Sequence, residues 1–196
     1  MRICFIGDSF VNGTNDPLCL GWTGRVCAAA RARGGDLTLY NLGIRRDTSR
    51  DIAARWHAEC AARLPDDQPG LLVFSFGVND CTEDSPGRLR VEPPDTLATA
   101  REMLARAQAW RPTLMVGPPP IPDEPIRHRT AALSQALATL CSELGVPFLN
   151  VHTPLSTHAV WLDETARFDG AHPAAGGYDA LAALVEAWPA WRAAVG

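Results

Sequence analysis

The sequence predicts an α/β fold, a parallel sheet of about five strands covered by helices on both faces and built as one domain over residues 1–196. Apolar runs alternate with helical patterns along the whole length. Most of those runs are short and continuously apolar, the pattern of strands buried on both sides. The segments between them are long enough for the helical crossovers that parallel pairing needs.

Taken in order, the strands fall at residues 2–6, 37–42, 71–76, 113–116 and 147–151. The first contains Ile3-Cys4-Phe5-Ile6 and is closed by Gly7. Helices at 21–33, 48–63 and 96–110 are rich in alanine, which favours helix but packs thinly, so Trp56, Trp110 and Trp188 are expected to supply bulk. Leu133, Leu137, Leu140 and Leu144 form a stripe at helical spacing, stopped by Gly145 and Pro147. A last stripe, Leu181, Leu184, Val185 and Trp188, follows Pro173, a residue suited to a helix's first turn. The proline-rich stretch 117–125 reads as a rim loop, because strand and helix patterns resume on either side. Ligands of such sheets bind beyond the carboxyl ends of the strands. Gly7-Asp8-Ser9, Gly43 and Gly77-Val78-Asn79-Asp80 each follow a strand and therefore share one rim.

Composition narrows the partners. A 21.1 kDa chain that is 46% hydrophobic and 20% charged can bury a substantial core. Its 18 basic and 22 acidic side chains give a net charge of −4, which offers no basic field for nucleic acid or anionic lipid. No stretch is long and apolar enough for a membrane span, and the run after Met1 is too short for the core of a signal peptide. Cysteines 4, 19, 27, 60, 81 and 141 include no Cys-x-x-Cys pair, which suggests thiols in a reducing cytoplasm and argues against structural zinc.

Chemistry enters with Ser9. A hydroxyl is a poor nucleophile until a base takes its proton. Taken alone, Ser9 reads as a serine capping a strand-to-helix turn. Asp169-Gly170-Ala171-His172 alters that reading, because a spacing of three lets the carboxylate hold one ring nitrogen protonated and leave the other to accept from Ser9. The plainer alternative is an Asp cap before a helix beginning at Pro173. His57, His128, His152 and His158 are rival bases, but none has a carboxylate at matching spacing in a comparable turn. Acyl transfer also needs donors aimed at a developing oxyanion. The Gly43 N–H and the Asn79 amide suit that role, although each alone is ordinary turn chemistry. No Gly-x-Ser-x-Gly elbow is present, which argues against an α/β-hydrolase fold.

Four blocks, Gly7-Asp8-Ser9-Phe10, Asn41-Leu42-Gly43, Gly77-Val78-Asn79-Asp80 and Asp169-Gly170-Ala171-His172, occur in order across nearly the whole chain. On these the chain resembles the SGNH hydrolase superfamily, the GDSL-type esterases and lipases. The resemblance implies a flavodoxin-like three-layer α/β/α fold and an esterase or acylhydrolase acting through an acyl-enzyme, with a small-molecule ester as substrate. It implies Ser9 as nucleophile and first oxyanion donor, Gly43 and Asn79 as further donors, His172 as base and Asp169 as its orienter. Neither a metal nor an organic cofactor is called for.

The chain departs from its relatives in two places. Phe10 replaces the usual leucine, a change of apolar side chain. The second block continues Ile44-Arg45-Arg46-Asp47, where relatives commonly have a small residue and a glycine. Arg45 and Arg46 suit a substrate carboxylate or phosphate, and equally an ion pair with Asp47 or another acid. Trp161, Leu162 and Phe168 are candidate walls of an acyl pocket or ordinary core, and Cys81 is a rim thiol or a buried one. Two other readings stay open. One is an inactive sheet-rim module binding a sugar or acyl group; the other is a flavin or nucleotide binder, which would lack the usual glycine-rich phosphate loop.

Overall fold

All five predicted strands form, and they pair in parallel. The structure is a computed structural model that describes residues 1–196. In chain order its elements begin with β1 (Arg2–Gly7), α1 (Ser9–Asn12), α2 (Gly21–Ala32), β2 (Thr38–Gly43), α3 (Ser49–Ala61) and β3 (Gly70–Ser75). A two-stranded antiparallel hairpin follows, β4 (Glu83–Ser85) and β5 (Arg88–Leu89), then α4 (Pro93–Trp110), β6 (Thr113–Val116) and α5 (Glu124–Leu144). The chain closes with β7 (Phe148–Leu149), α6 (His152–Leu155), α7 (Ala159–Arg167), α8 (Ala175–Ala187) and α9 (Pro189–Val195).

The sheet order is β2–β1–β3–β6–β7. That is the flavodoxin-like order, whose ligand site lies where β1 and β3 diverge to opposite sides. Alternate residues of the central strands feed two cores. Ile3 and Phe5 of β1, with Leu71 and Val73 of β3, join Trp22, Tyr178, Leu181 and Trp191 on one face. Cys4 and Ile6, with Leu72 and Phe74, join Trp56, Leu104, Leu133 and Leu137 on the other. The helices therefore divide into an α2/α8 layer and an α3/α4/α5 layer, the three-layer arrangement expected.

Several boundaries differ from the sequence expectation. The fifth strand is only Phe148–Leu149, pairing at the sheet edge with β6 alone. Pro173 precedes the last long helix instead of opening it; α8 starts at Ala175. The bulk expected from Trp110 and Trp188 comes instead from Trp22, Trp161 and Trp191, which are buried with Trp56, while Trp110 and Trp188 only pack against the core's edge. Each such buried side chain is worth on the order of 1.5–3 kcal/mol.

The carboxyl end of β1 is the tightest place in the fold. Gly7 pairs with Gly43 of β2 and Ser75 of β3, and a Cβ on Gly7 would stand 2.0 Å from the Ser75 carbonyl oxygen and 2.5 Å from Val11. A Cβ on Gly43 would meet the Asn12 nitrogen at 2.2 Å. Helix α1 thus rests on bare backbone. Gly7→Ala is expected to destabilise the fold by about 3 kcal/mol or more in denaturant unfolding, since backbone is what the methyl would strike. A change below about 0.5 kcal/mol, the size of a neutral surface substitution, would contradict this packing.

Candidate active site

Ser9 opens α1 directly after β1, where its backbone N–H has no intrahelical acceptor. Asp8 is the cap: its Oδ1 accepts from the Phe10 N–H at 2.9 Å. From the other end of the chain, the turn between α7 and α8 brings His172 to Ser9. His172 Nε2 lies 2.7 Å from Ser9 Oγ, and His172 Nδ1 lies 2.7 Å from Asp169 Oδ2. Ser9 and His172 are both buried, at 4% and 9% exposure, and Phe10 packs on the imidazole with ring centroids 4.8 Å apart.

Asp169 does two jobs in that turn. Its Oδ1 accepts from the backbone N–H of Ala171 at 3.1 Å and of His172 at 2.8 Å, while Gly170 takes a φ of +77. Partial burial opposes ionisation of Asp169, but the His172 backbone and ring and the Ala171 N–H outweigh it and hold the carboxyl at about 2. The ring-facing oxygen is therefore an anion at neutral pH, able to fix a proton on Nδ1. The capping of α8 falls to Glu164 of α7, which accepts from the N–H groups of Ala174, Gly176 and Gly177. The sequence reading missed this residue, since no local spacing ties α7 to a helix ten positions on.

Gly43 and Asn79 reach the same rim at the ends of β2 and beyond β3, and both already have acceptors. The Gly43 N–H donates to Asn41 Oδ1 at 3.0 Å. Asn79 Nδ2 donates to the Asp47 carbonyl at 3.0 Å and to Asp8 Oδ2 at 3.4 Å. Asn41 is held in turn by donating to the Val11 carbonyl at 2.7 Å and to Thr23 Oγ1 at 3.1 Å. Asp80, next to Asn79, accepts from the Ser49 N–H and hydroxyl and from Thr96 Oγ1, tying α3 and α4 to the rim.

Arg55 of α3 also escaped the sequence reading, because nothing distinguishes it from other helical arginines. Its guanidinium spans the ends of two strands, donating to the Gly7 carbonyl at 2.9 Å and the Leu42 carbonyl at 3.0 Å. It also pairs with Asp47 at 2.7 Å and Glu59 at 2.9 Å. Asp47 is thus occupied by Arg55, and the ion pair with Arg45 or Arg46 that the sequence allowed does not form. Both of those arginines are exposed, and Arg46 has a φ of +72, which costs a side-chain-bearing residue roughly 1–2 kcal/mol.

The remaining candidates separate cleanly. Trp161 is not at the rim: it is fully buried behind Phe10, donating its indole N–H to the Pro120 carbonyl at 3.0 Å. An apolar face that size was free to fill core as well as to line a pocket, and core won. Phe168 is exposed beside Asp169. Cys81 is buried, and burial pushes its thiol up to about 12. His152 is buried between Thr130 and Ser156, and His57 packs against Trp56 and Trp110, away from Ser9.

This arrangement of a serine at the first strand end, an Asp-x-x-His turn before the last long helix and a 2-1-3 strand order is that of an SGNH hydrolase fold. The sequence profile of the GDSL-like lipase/acylhydrolase family matches residues 5–180, and the chain belongs to that family. It is accordingly an ester-hydrolysing serine hydrolase. Among solved structures, it resembles a lipase/acylhydrolase from Enterococcus faecalis with a TM-score of 0.71 and 22% identity, over 94% of this chain and 93% of that one. An acetylxylan esterase from Geobacillus stearothermophilus superposes with a TM-score of 0.75 and 20% identity over 93% and 91%. A member of the lipolytic G-D-S-L family from Veillonella parvula gives 0.73 and 18% over 94% of each chain. Comparison with curated protein sequences finds no match.

Asp8 gives the site a pH signature. Burial raises its carboxyl to about 7, with Asp80 and Asp47 adding to the rise against the Phe10 N–H. Because an unfolded aspartate titrates near about 3.9, the folded state binds an extra proton between those values. The stability this gives is full below about pH 4 and is lost as pH rises through about 7. Asp8→Asn keeps a capping oxygen but cannot ionise. Its stability relative to the unsubstituted protein is expected to improve by roughly 2–3 kcal/mol between pH 5 and pH 8 in parallel denaturant titrations. The same difference at both pH values would refute an unusual Asp8.

Proposed function

We propose that the protein cleaves carboxylic esters of small or medium acyl groups through an acyl-enzyme on Ser9, with His172 as base and Asp169 as its orienter. The observation that carries this reading is the 2.7 Å contact between Ser9 Oγ and His172 Nε2, made across 163 residues of chain. Attack by Ser9 Oγ on the ester carbonyl carbon passes the hydroxyl proton to His172 Nε2. The ionised Asp169 oxygen at Nδ1 stabilises the resulting imidazolium and keeps the ring oriented. As the tetrahedral intermediate collapses, the C–O bond to the alcohol breaks and the Nε2 proton passes to the departing oxygen. Water then repeats the sequence: His172 takes its proton, the acyl–Ser9 bond breaks, and the acid leaves with Ser9 restored.

The carbonyl oxygen becomes negative during both attacks. We assign its stabilisation to the Ser9 and Gly43 N–H groups and the Asn79 amide. The Gly43 and Asn79 hydrogens rest on internal acceptors, and the 3.4 Å Asn79–Asp8 contact is the weakest of them. A full anion is a stronger acceptor than a neutral amide oxygen or a 3.4 Å contact, so it can draw both donors over. Gly43 also serves packing, since its bare backbone is what lets Asn12 approach. The acetylxylan esterase likeness favours small acyl groups on this rim. No helix is long and apolar enough to cross a membrane, and six scattered cysteines without a Cys-x-x-Cys pair favour a reducing, cytoplasmic setting.

Kinetics on 4-nitrophenyl acetate and butyrate test the reading. Ser9→Ala is expected to leave no more than the roughly 10³–10⁴-fold advantage over water that binding and oxyanion donors can give. Asn79→Ala is expected to lower kcat by about 10²–10³-fold with a smaller effect on KM. Unchanged turnover in the Ser9→Ala protein would overturn the assignment.

A further inference from the structure

We propose that the turn bearing Arg45 and Arg46 is an anion subsite, so that the preferred ester has a carboxylate or phosphate on its acyl or alcohol part. The inference rests on the ester-hydrolase reading of Ser9 and His172, and deepens it. The Asp47 N–H donates to the Ile44 carbonyl at 3.3 Å, which closes a four-residue turn with Arg45 and Arg46 at its centre. On one side the Ile44 N–H donates to the Gly7 carbonyl at 3.1 Å, two residues before Ser9. On the other, the Asp47 carbonyl accepts from Asn79 at 3.0 Å. The two ends of the turn are therefore tied to the strand end that precedes the proposed nucleophile and to a proposed oxyanion donor.

Three features of this tip point to an anion. The first is that its charges are unspent. Every other arginine except Arg127 has its guanidinium on a carboxylate, a carbonyl or an aromatic ring. Arg127 lies on α5, beyond β6 and away from this edge. The second is that nearby acids are engaged elsewhere. Asp47 pairs with Arg55, Asp95 with Arg50, and Asp51 accepts from the Thr48 N–H and hydroxyl. The third is that Arg46 sits at a φ of +72, a left-handed position that glycine fills without strain. Arg90 holds the strained residue by donating to its carbonyl at 2.7 Å, which brings a third cation to the tip. The Arg46 side chain is exposed and makes no hydrogen bond or ion pair within the chain, which leaves its guanidinium free to meet an external anion. Each guanidinium can take two oxygens of a carboxylate or phosphate in a bidentate contact.

The test compares matched esters in the unsubstituted protein and in an Arg45→Ser, Arg46→Gly double variant. Monoethyl glutarate is set against ethyl butyrate, and glycerol 1-phosphate monobutyrate against glycerol monobutyrate. The two pairs distinguish a carboxylate subsite from a phosphate subsite. The ratio of kcat/KM for the anionic over the neutral ester is expected to fall at least tenfold in the variant, through KM, for at least one pair. The same loss is expected in Kd when glutarate and glycerol 1-phosphate, which have no carboxylic ester to cleave, are titrated calorimetrically into the protein with and without the double substitution. Because that titration needs no turnover, it reads the subsite even if the Ser9 assignment fails. Arg46→Gly alone is expected to raise the thermal midpoint, so loss of discrimination cannot be ascribed to unfolding. Should the double variant not fold, the preference of the unsubstituted protein for the anionic ester is expected to weaken with added NaCl. Ratios and Kd values unmoved by the substitutions, or a preference indifferent to salt, would overturn the subsite.

Discussion

Close approach of backbone to backbone at the carboxyl end of β1 governs this molecule. Helix α1 is only four residues long and contributes little stability by itself, so its position is dictated by what it lies on. It lies on Gly43 and beside Gly7, at distances where a single methyl would collide with main-chain atoms. That contact fixes the direction in which Ser9 leaves the sheet. Arg55 reinforces it from the opposite layer by bridging the Gly7 carbonyl of β1 and the Leu42 carbonyl of β2. With the serine end rigid, the histidine end needs only one well-held turn, which Asp169 supplies through backbone contacts and Glu164 secures by capping α8.

The electrostatics of the rim follow from the same crowding. Asp8, Asp47 and Asp80 come close together, and each is handled differently. Asp47 has a guanidinium, Asp80 has three donors, and Asp8 has one backbone N–H and a long amide contact. The least satisfied of them, Asp8, is pushed up to about 7. Asp169, less enclosed and better supplied with donors, moves the opposite way. The two aspartates of the site thus hold opposite protonation tendencies, and Asp169, beside the imidazole, is the anion.

Much of the architecture was legible from residue order. The continuously apolar runs of β1, β3 and β6 announce a sheet covered on both faces, and the ordered blocks at the strand ends place Ser9, Gly43 and Asn79 on one rim with His172. Long-range tertiary matters were not legible. Arg55, Glu164 and Asn41 act through partners many residues away, so no local pattern marks them. Trp161 was ambiguous for a related reason: burial is decided by what packs opposite, here Phe10 and Pro120, and not by the residue itself. Whether Arg45 and Arg46 form ion pairs depends on the partner of Asp47, which is Arg55 from a separate helix.

Ester cleavage at this rim requires that the imidazole of His172 take the proton of Ser9. Fluorophosphonates bond to a serine oxygen only where a neighbouring base and oxyanion donors have made it nucleophilic. Mass spectrometry of the labelled, folded protein is the most direct measurement. A single adduct on the peptide containing Ser9, with a labelling rate that drops about 10²–10⁴-fold in His172→Ala, is the predicted result. Absence of label at Ser9, or labelling at an undiminished rate without the imidazole, would contradict it.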